Sequence, residues 1–186
     1  MKVIGIIPSR YASSRFLGKP LADILGKSMI QRVYEQCKKA SSLSKVIVAT
    51  DDERIYNHVL SFGGKVIMTS NSHLSGTDRC NEVIQSLKEK YDVAINIQGD
   101  EPFVNPENID LLLMKLAKSP ASIGTLYTPF SEMSEVTSSN RVKVTTDING
   151  LALSFSRSVM PFNKIKLKPE DYKKHLGVYG FKKNDI

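Results

Sequence analysis

The chain has 186 residues, 41% of them hydrophobic and 24% charged, which suits one domain with a sizeable buried core. It contains no apolar run long enough for a transmembrane helix, and Met1 and Lys2 lead into a short strand pattern rather than a signal peptide. Of the formal net charge of +7, +4 falls in residues 164–186, where seven lysines outnumber three acidic residues. This stretch lacks a nucleic-acid-binding motif, so we expect an anionic small substrate or a solvated basic face instead.

The first predicted element is a buried strand over residues 3–7, which we expect to end at Pro8. Ligands of open α/β sheets bind beyond the carboxyl ends of strands. The following loop carries cations, hydroxyls and a glycine there, so it is predicted to clamp a polyanion such as a nucleoside triphosphate, with a solvated basic loop as the alternative. The residues concerned are Ser9, Arg10, Ser13, Ser14, Arg15, Gly18 and Lys19.

Strands and helices then alternate, which predicts a largely parallel sheet covered on both faces. Further strands are predicted over residues 45–50, 65–69 and 92–98. Apolar residues at helical spacing lie between and after them, and the predicted helix starts are Ser28, the Asp51-Asp52 pair, Thr77, and Asn105 with Pro106.

Cys37 and Cys80 fall on two of these apolar helical stripes. The pattern favours core thiols over a disulfide or a metal site. Together with the absence of a signal peptide pattern, it leads us to expect a cytoplasmic protein.

The pattern changes after Pro120. Residues 122–128 are predicted to form a strand, and the polar residues 131–140 a loop or short helix. Residues 141–146 and 151–156 flank an Asn-Gly turn and predict a β-hairpin, which we expect to project as a subdomain beside the site.

Several familiar motifs are absent. Gly26-Lys27-Ser28 looks like the end of a P-loop, but Leu21 stands where that motif needs its first glycine. No G-x-G-x-x-G follows the first strand, and His58 and His73 lack metal-ligand spacing.

Two clusters follow predicted strands. Residues 75–79 offer hydroxyls and backbone donors where a helix begins, a position that binds anions, although an ordinary capping loop with Thr77 as N-cap explains them equally well. Asp100, after the strand over residues 92–98, can hold Mg²⁺, and Gly99 would let the backbone approach a ligand closely. The alternative is a turn that uses Gly-Asp for its geometry.

A third cluster lies later in the chain. Arg157 leaves an apolar strand pattern and can pair bidentately with a carboxylate. His175 can donate a hydrogen bond, although a structural histidine is the simpler interpretation of that residue alone.

Taken together, these blocks resemble the 3-deoxy-manno-octulosonate (Kdo) cytidylyltransferases. The resemblance rests on I-P-S-R-Y-A-S-S-R-F-L-G-K-P-L-A-D-I-L-G-K-S-M-I, V-I-V-A-T-D-D, H-L-S-G-T-D-R, N-I-Q-G-D-E-P, N-R-V-K-V-T-T-D-I-N-G-L-A-L-S-F-S-R and H-L-G-V-Y-G-F, in that order. Phe16 and Leu17 stand where a Leu-Pro pair is usual.

The resemblance implies a nucleotidyltransferase-type, Rossmann-like three-layer α/β domain with a projecting hairpin. Residues 1–186 would form one domain, with a nucleotide-binding core over 1–120 and a hairpin and sugar-binding part over 121–186. The implied reaction converts CTP and Kdo to CMP-Kdo and pyrophosphate with Mg²⁺, for lipopolysaccharide synthesis.

The resemblance also implies residue roles. Catalysis would depend on Arg10, Lys19 and Asp100, with Asp100 as the metal ligand. CTP would be bound by Arg10, Ser13, Arg15, Lys19, Ser75, Gly76, Thr77 and Arg79. The sugar acid would lie near Gln98, Arg157, His175 and Tyr179.

The family continues beyond the position of Ile186, with a second metal-binding aspartate and much of a homodimer interface. We therefore expect this chain to be a C-terminally truncated member. A synthetase for another sugar acid and a non-catalytic CTP-binding fragment remain alternatives.

Overall fold

The computed structural model describes residues 1–12, 16–161 and 167–183, which divide into two compact units. Unit 1 comprises Met1–Gly124 and Val178–Ile186, and unit 2 comprises Thr125–Gly177. Within the described residues, no helix is both long and apolar enough to cross a membrane.

Unit 1 is built on a mainly parallel sheet. Its parallel strands run in the spatial order β5, β4, β1, β6, and the C-terminal half of β10 pairs antiparallel with β6. The strands of this sheet are β1 (Val3–Ser9), β4 (Lys45–Thr50), β5 (Val66–Met68), β6 (Val93–Asn96) and β10 (Lys173–Lys182), while β2 (Asp23–Ile24) and β3 (Lys27–Ser28) form a separate two-stranded sheet.

Four helices accompany this sheet: α1 (Met29–Cys37), α2 (Glu53–Ser61), α3 (Gly76–Ser86) and α4 (Pro106–Lys118). The predicted N-caps Ser28 and Asn105 are confirmed, because their side chains accept hydrogen bonds from the backbone N–H groups of Gln31 and Glu107. The alternation read from the sequence therefore gives the predicted α/β architecture.

The hydrophobic core covers both faces of β1. Ile4 and Ile6 pack in a cluster that includes Cys80 and Val83 of α3. Cys37 and Cys80 are both buried with free thiols, and burial raises the pKa of each to about 12. They are core thiols, as predicted.

The prediction that β1 ends at Pro8 is wrong, since the strand continues through Pro8 to Ser9. The carbonyl of Ile6 accepts a hydrogen bond from the N–H of Ile97, and backbone groups of alternate residues face the same side, so Pro8 also faces β6. Because β6 ends at Asn96, the N–H that proline lacks would have no strand partner.

Unit 2 contains the predicted hairpin. Its strands are β8 (Lys143–Thr146) and β9 (Ala152–Ser156), which pair antiparallel around a turn that ends at Gly150, at φ +83°. β8 also pairs with the first residues of β10. The strand β7 (Ile123–Pro129) contributes its residues from Thr125 onward to this unit, and the polar segment after it forms the short helix α5 (Met133–Thr137). Phe130, Val136 and Tyr172 form a small core of this unit.

Candidate active site

Two cavities of about 200 Å³ each lie at the carboxyl end of β1. They share the lining residues Pro8, Ser9, Arg10 and Gln98. The first is completed by His73, Leu74, Ser75, Gly76 and Arg79, and the second by Lys19, Pro20, Gly99 and Asp100. The structure thus brings three of the predicted sequence clusters together at one edge of the sheet.

Lys19 and Asp100 form an ion pair in the second cavity. The Nζ of Lys19 lies 2.5 Å from an Oδ of Asp100, and the two side chains are 34% and 46% exposed. Such an exposed pair contributes little to stability. A phosphate can therefore replace Asp100 as the partner of Lys19, and a cation can replace Lys19 as the partner of Asp100, at small cost in free energy.

The loop that carries Lys19 is closed at its base by Tyr11. The N–H of Gly18 donates to the Tyr11 carbonyl at 3.0 Å, and Gly18 adopts φ +70° with its Cα packed against the Tyr11 ring. The guanidinium of Arg54, itself paired with Asp52, lies 3.3 Å from the centre of that ring. Ser13 and Arg15, predicted to bind CTP, lie outside the described residues.

The start of α3 corrects one prediction. The N-cap is Ser75, not Thr77: the Ser75 hydroxyl accepts from the N–H of Asp78, whose carboxylate accepts from the N–H of Ser75. This capping box places Gly76 and Thr77 in the first helical turn. Ser75 and Gly76 line the first cavity, so the N-terminus of α3 borders the space where an anion would bind.

Arg79 reaches the first cavity, but its guanidinium is committed to the protein. The residue is 4% exposed, with Nη1 donating to the Thr69 hydroxyl and Nη2 donating to a carboxylate oxygen of Asp51 at 2.9 Å. Its contacts therefore tie α3 to the segments that follow β4 and β5. The resemblance implied that this guanidinium binds CTP; in the structure, two of its nitrogens donate to Thr69 and Asp51.

Gly99 allows a close contact between its backbone and the end of β1, and it also lines the second cavity. A Cβ at this position would lie 3.0 Å from the Pro8 carbonyl oxygen and 3.6 Å from the Ser9 hydroxyl. The loop that carries Asp100 can therefore pack tightly against the end of β1. This packing sets the position of Asp100 relative to Lys19.

Two wall residues gain importance only from the structure. The Ser9 hydroxyl is buried and has no hydrogen-bond partner among the described residues. The ring Nε2 of His73 bonds the Glu82 carboxylate and holds the pKa of Glu82 below its usual range. The sequence places Ser9 in the predicted anion-binding loop but indicates neither the burial of its hydroxyl nor the contact between His73 and Glu82, because both depend on which side chains meet across the fold.

The residues predicted near the sugar acid are divided between the two units. In unit 1, Gln98 lines both cavities, and Tyr179 lies opposite Asn96 of β6. Burial raises the pKa of Tyr179.

In unit 2, Arg157 is exposed just after β9, and its Nη1 donates to the Ser139 carbonyl at 2.9 Å. His175 is half-buried beside the Phe155 ring, with Nε2 lying 3.0 Å from the Thr125 hydroxyl. Burial lowers the pKa of His175, so this imidazole favours its neutral form.

Comparison with known proteins gives a consistent result. Residues 4–186 match the family described as Cytidylyltransferase. The chain is 50% identical to the 3-deoxy-manno-octulosonate cytidylyltransferase of Parabacteroides distasonis, covering 98% of this chain and 75% of that protein. It is 48% identical to the mitochondrial enzyme of the same name from Arabidopsis thaliana, covering 97% of this chain and 63% of that protein.

Solved structures agree. A CMP:2-keto-3-deoxy-manno-octonic acid synthetase complexed with CTP superposes with a TM-score of 0.90 at 42% identity, covering 99% of this chain and 75% of that one. A 4-diphosphocytidyl-2C-methyl-D-erythritol synthase from Anaerococcus prevotii reaches a TM-score of 0.63 at 14% identity, which supports the nucleotidyltransferase fold alone.

Proposed function

The chain belongs to the cytidylyltransferase family, and we propose that it transfers the cytidylyl group of CTP to Kdo, giving CMP-Kdo and pyrophosphate for lipopolysaccharide synthesis. The observation that carries the proposal is the cationic double cavity at the end of β1, in a chain so similar to a synthetase solved with CTP. The 3-deoxy-manno-octulosonate in the names of both curated relatives supports the choice of sugar acid.

In the proposed reaction, an oxygen–phosphorus bond forms and another breaks. The hydroxyl oxygen of the sugar acid attacks the α-phosphorus of CTP, the bond from that phosphorus to the bridging oxygen breaks, and pyrophosphate leaves with the bonding electrons while the hydroxyl proton is released. Negative charge grows on the phosphate oxygens during the step. Arg10 and Lys19, on the wall of the second cavity, would bind those oxygens and stabilise that charge.

Asp100 fits the role of a magnesium ligand. Its carboxylate is half-exposed on the cavity wall, and Mg²⁺ is commonly held by one or two carboxylates together with substrate phosphates and water. Bound there, the ion would supply Lewis-acid stabilisation of the phosphate charge. With Asp100 holding the cation, Lys19 would be free of its carboxylate partner and available to the triphosphate.

The N-terminal turn of α3 provides the other wall of the nucleotide site. Ser75 and Gly76 would face the cytidine end, and Thr77 follows them in the same turn. The hydroxyl of Ser9 is a further donor on this wall. Gln98, His175 and Tyr179 are proposed to contact the sugar, and Arg157 its carboxylate, since a guanidinium fork matches a carboxylate with two parallel hydrogen bonds.

We also propose that the protein assembles as a homodimer. In support, apolar side chains are exposed on β9 and just before it, with Leu151, Leu153 and Phe155 at 52%, 68% and 46% exposure. Contiguous exposed apolar residues are typical of interaction surfaces. Size-exclusion chromatography with light scattering tests this on the chain itself and on a version extended by the remaining segment of a longer relative: a monomer at all concentrations in both would contradict the proposal.

The function is tested by pyrophosphate release with CTP, Kdo and Mg²⁺, using sialic acid as the competing substrate. We expect release that depends on Kdo. Preference for sialic acid would assign the chain to a related synthetase, and CTP binding without release would favour the non-catalytic alternative. Because the relatives are longer than this chain, a second arm uses a version extended by the remaining segment of the Parabacteroides protein.

A further inference from the structure

Unit 2 contains a buried cation that the proposed chemistry does not use. Lys143, in β8, is 0% exposed. Its ammonium donates to the backbone carbonyls of Ser138 at 2.7 Å, Arg141 at 2.9 Å and Arg157 at 2.7 Å. A lysine has three N–H donors, so these three carbonyls satisfy all of them.

The charge of this lysine is balanced by carbonyl dipoles. Among the described residues, Lys143 forms no ion pair with a carboxylate, and burial together with the nearby Arg157 lowers its pKa. A buried charge without an oppositely charged partner is costly, even when its N–H groups are hydrogen-bonded. The neighbouring strand β9 is exposed, so packing of the hairpin alone does not explain a buried charge at this position.

The contacts of Lys143 converge on Arg157. Its Nζ holds the Arg157 carbonyl and also both sides of the short loop that contains Ser139. The Ser139 carbonyl in turn accepts a hydrogen bond from Nη1 of Arg157. One ammonium therefore fixes both the backbone of Arg157 and the loop to which its guanidinium is anchored.

We propose that Lys143 is a positioning residue that holds Arg157 for the carboxylate of the sugar acid. The inference rests on the proposed function, since it gives Arg157 a ligand. With Nη1 bonded to Ser139, the exposed guanidinium presents its remaining N–H groups in a fixed direction. The buried positive charge also adds to the attraction for an anion at this end of the hairpin.

The test uses Lys143→Met, which keeps the length of the side chain and removes its charge and donors. Lys143→Gln is the milder variant, because its amide removes the charge but keeps two N–H donors. Lys173→Met is the matched control: this lysine also lies in unit 2 and bonds the Thr146 side chain, without contacting Arg157.

The first measurement is amide hydrogen–deuterium exchange, which does not depend on activity. We expect faster exchange at residues 138–141 and 156–158 in the Lys143 variants and unchanged exchange there in Lys173→Met. Unchanged exchange in both folded Lys143 variants would overturn the proposal, even if the wild-type protein turned out to make no CMP-Kdo.

The second measurement separates the two substrates. We expect the KM for Kdo to rise about tenfold or more in Lys143→Met while the Kd for CTP stays within twofold. The KM for Kdo of Arg157→Ala should be the same whether or not Lys143 is also replaced, because Lys143 acts through Arg157. Three outcomes would refute the positioning role. They are an equal loss of affinity for Kdo and CTP, a further rise in the KM for Kdo when both residues are replaced, and an unchanged KM for Kdo in a folded Lys143→Gln. Absence of turnover in the wild type counts instead against the proposed function.

Discussion

Replacing Lys19 with methionine should separate stability from nucleotide binding. The Lys19–Asp100 pair is 34% and 46% exposed, and exposed ion pairs contribute only about 0–1 kcal/mol to the free energy of unfolding. For a chain of this length, about 1 kcal/mol corresponds to a Tm shift of roughly 2–4 °C. The change should therefore lower Tm by no more than about 4 °C.

The effect on CTP binding should be much larger. A charge-assisted hydrogen bond contributes about 1.5–3 kcal/mol, and each 1.4 kcal/mol is about tenfold in Kd, so Lys19→Met should weaken CTP binding roughly 10- to 150-fold. Isothermal titration calorimetry with Mg²⁺ measures this directly.

Lys27→Met is the matched control for Lys19. The Nζ of Lys27 lies 2.7 Å from a carboxylate oxygen of Glu35, and the two side chains are 43% and 39% exposed, away from both cavities. It should show the same small Tm change and an unaltered Kd. A Kd within twofold of wild type in Lys19→Met, or an equal loss of CTP affinity in the control, would refute the reasoning.

Three further results are expected. Asp100→Asn should nearly abolish Mg²⁺-dependent pyrophosphate release while leaving CTP binding without metal unchanged or tighter, because Lys19 is freed; near-wild-type turnover across a Mg²⁺ titration would reduce Asp100 to a turn residue. Ser9→Ala should leave Tm unchanged or raise it, since an unmet buried hydroxyl costs about 1–3 kcal/mol, yet weaken CTP binding; calorimetry that shows unaltered affinity would exclude a ligand contact. The Lys2 ammonium, with two other donors, lowers the pKa of Glu89 from 4.5 to about 2, so this carboxylate stabilises the fold above about pH 4.5 and the contribution is lost as pH falls towards 2. Denaturant unfolding between these pH values should show a shallower fall in the free energy of unfolding for Glu89→Gln than for the wild type, and identical slopes would contradict this.

The helix starts show how much local sequence determines. Ser28 and Asn105 are strong N-caps, each followed by a helical apolar stripe, so both starts could be located without the fold. The error at Thr77 was avoidable, because Ser75 and Asp78 have the spacing of a capping box. The competing signal was a run of neighbouring residues able to cap.

The strand β10 could not be recognised in the same way. It contains two glycines and several lysines, without the alternation typical of a half-buried strand. The structure explains Gly180: a Cβ there would lie 2.9 Å from a Leu116 methyl carbon and 3.2 Å from one of Ile95, so the glycine lets α4 approach the sheet. This requirement exists only once helix and sheet are in contact.

The roles of the cations are also beyond the reach of sequence patterns. From sequence alone, a basic residue such as Arg79 or Lys143 suggests a ligand contact or a solvated surface. Both are buried: the Arg79 guanidinium donates to Thr69 and Asp51, and the three N–H donors of Lys143 bond backbone carbonyls. Burial and partner choice are tertiary properties, so only the fold distinguishes such residues from Lys19.

That distinction determines which charges a ligand can recruit. Removing Arg79 from Asp51, or Lys143 from its three carbonyls, would leave buried polar groups unpaired, which costs far more than an exposed contact returns. The Lys19–Asp100 pair can be opened cheaply, and its two halves suit the two parts of a metal–triphosphate complex: the ammonium suits phosphate and the carboxylate suits the cation. Binding would then replace one ion pair with two attractive contacts, one between the Lys19 ammonium and phosphate and one between the Asp100 carboxylate and the cation. The exposed pair therefore supplies the exchangeable charges of the site, while the buried cations hold the surrounding segments in place.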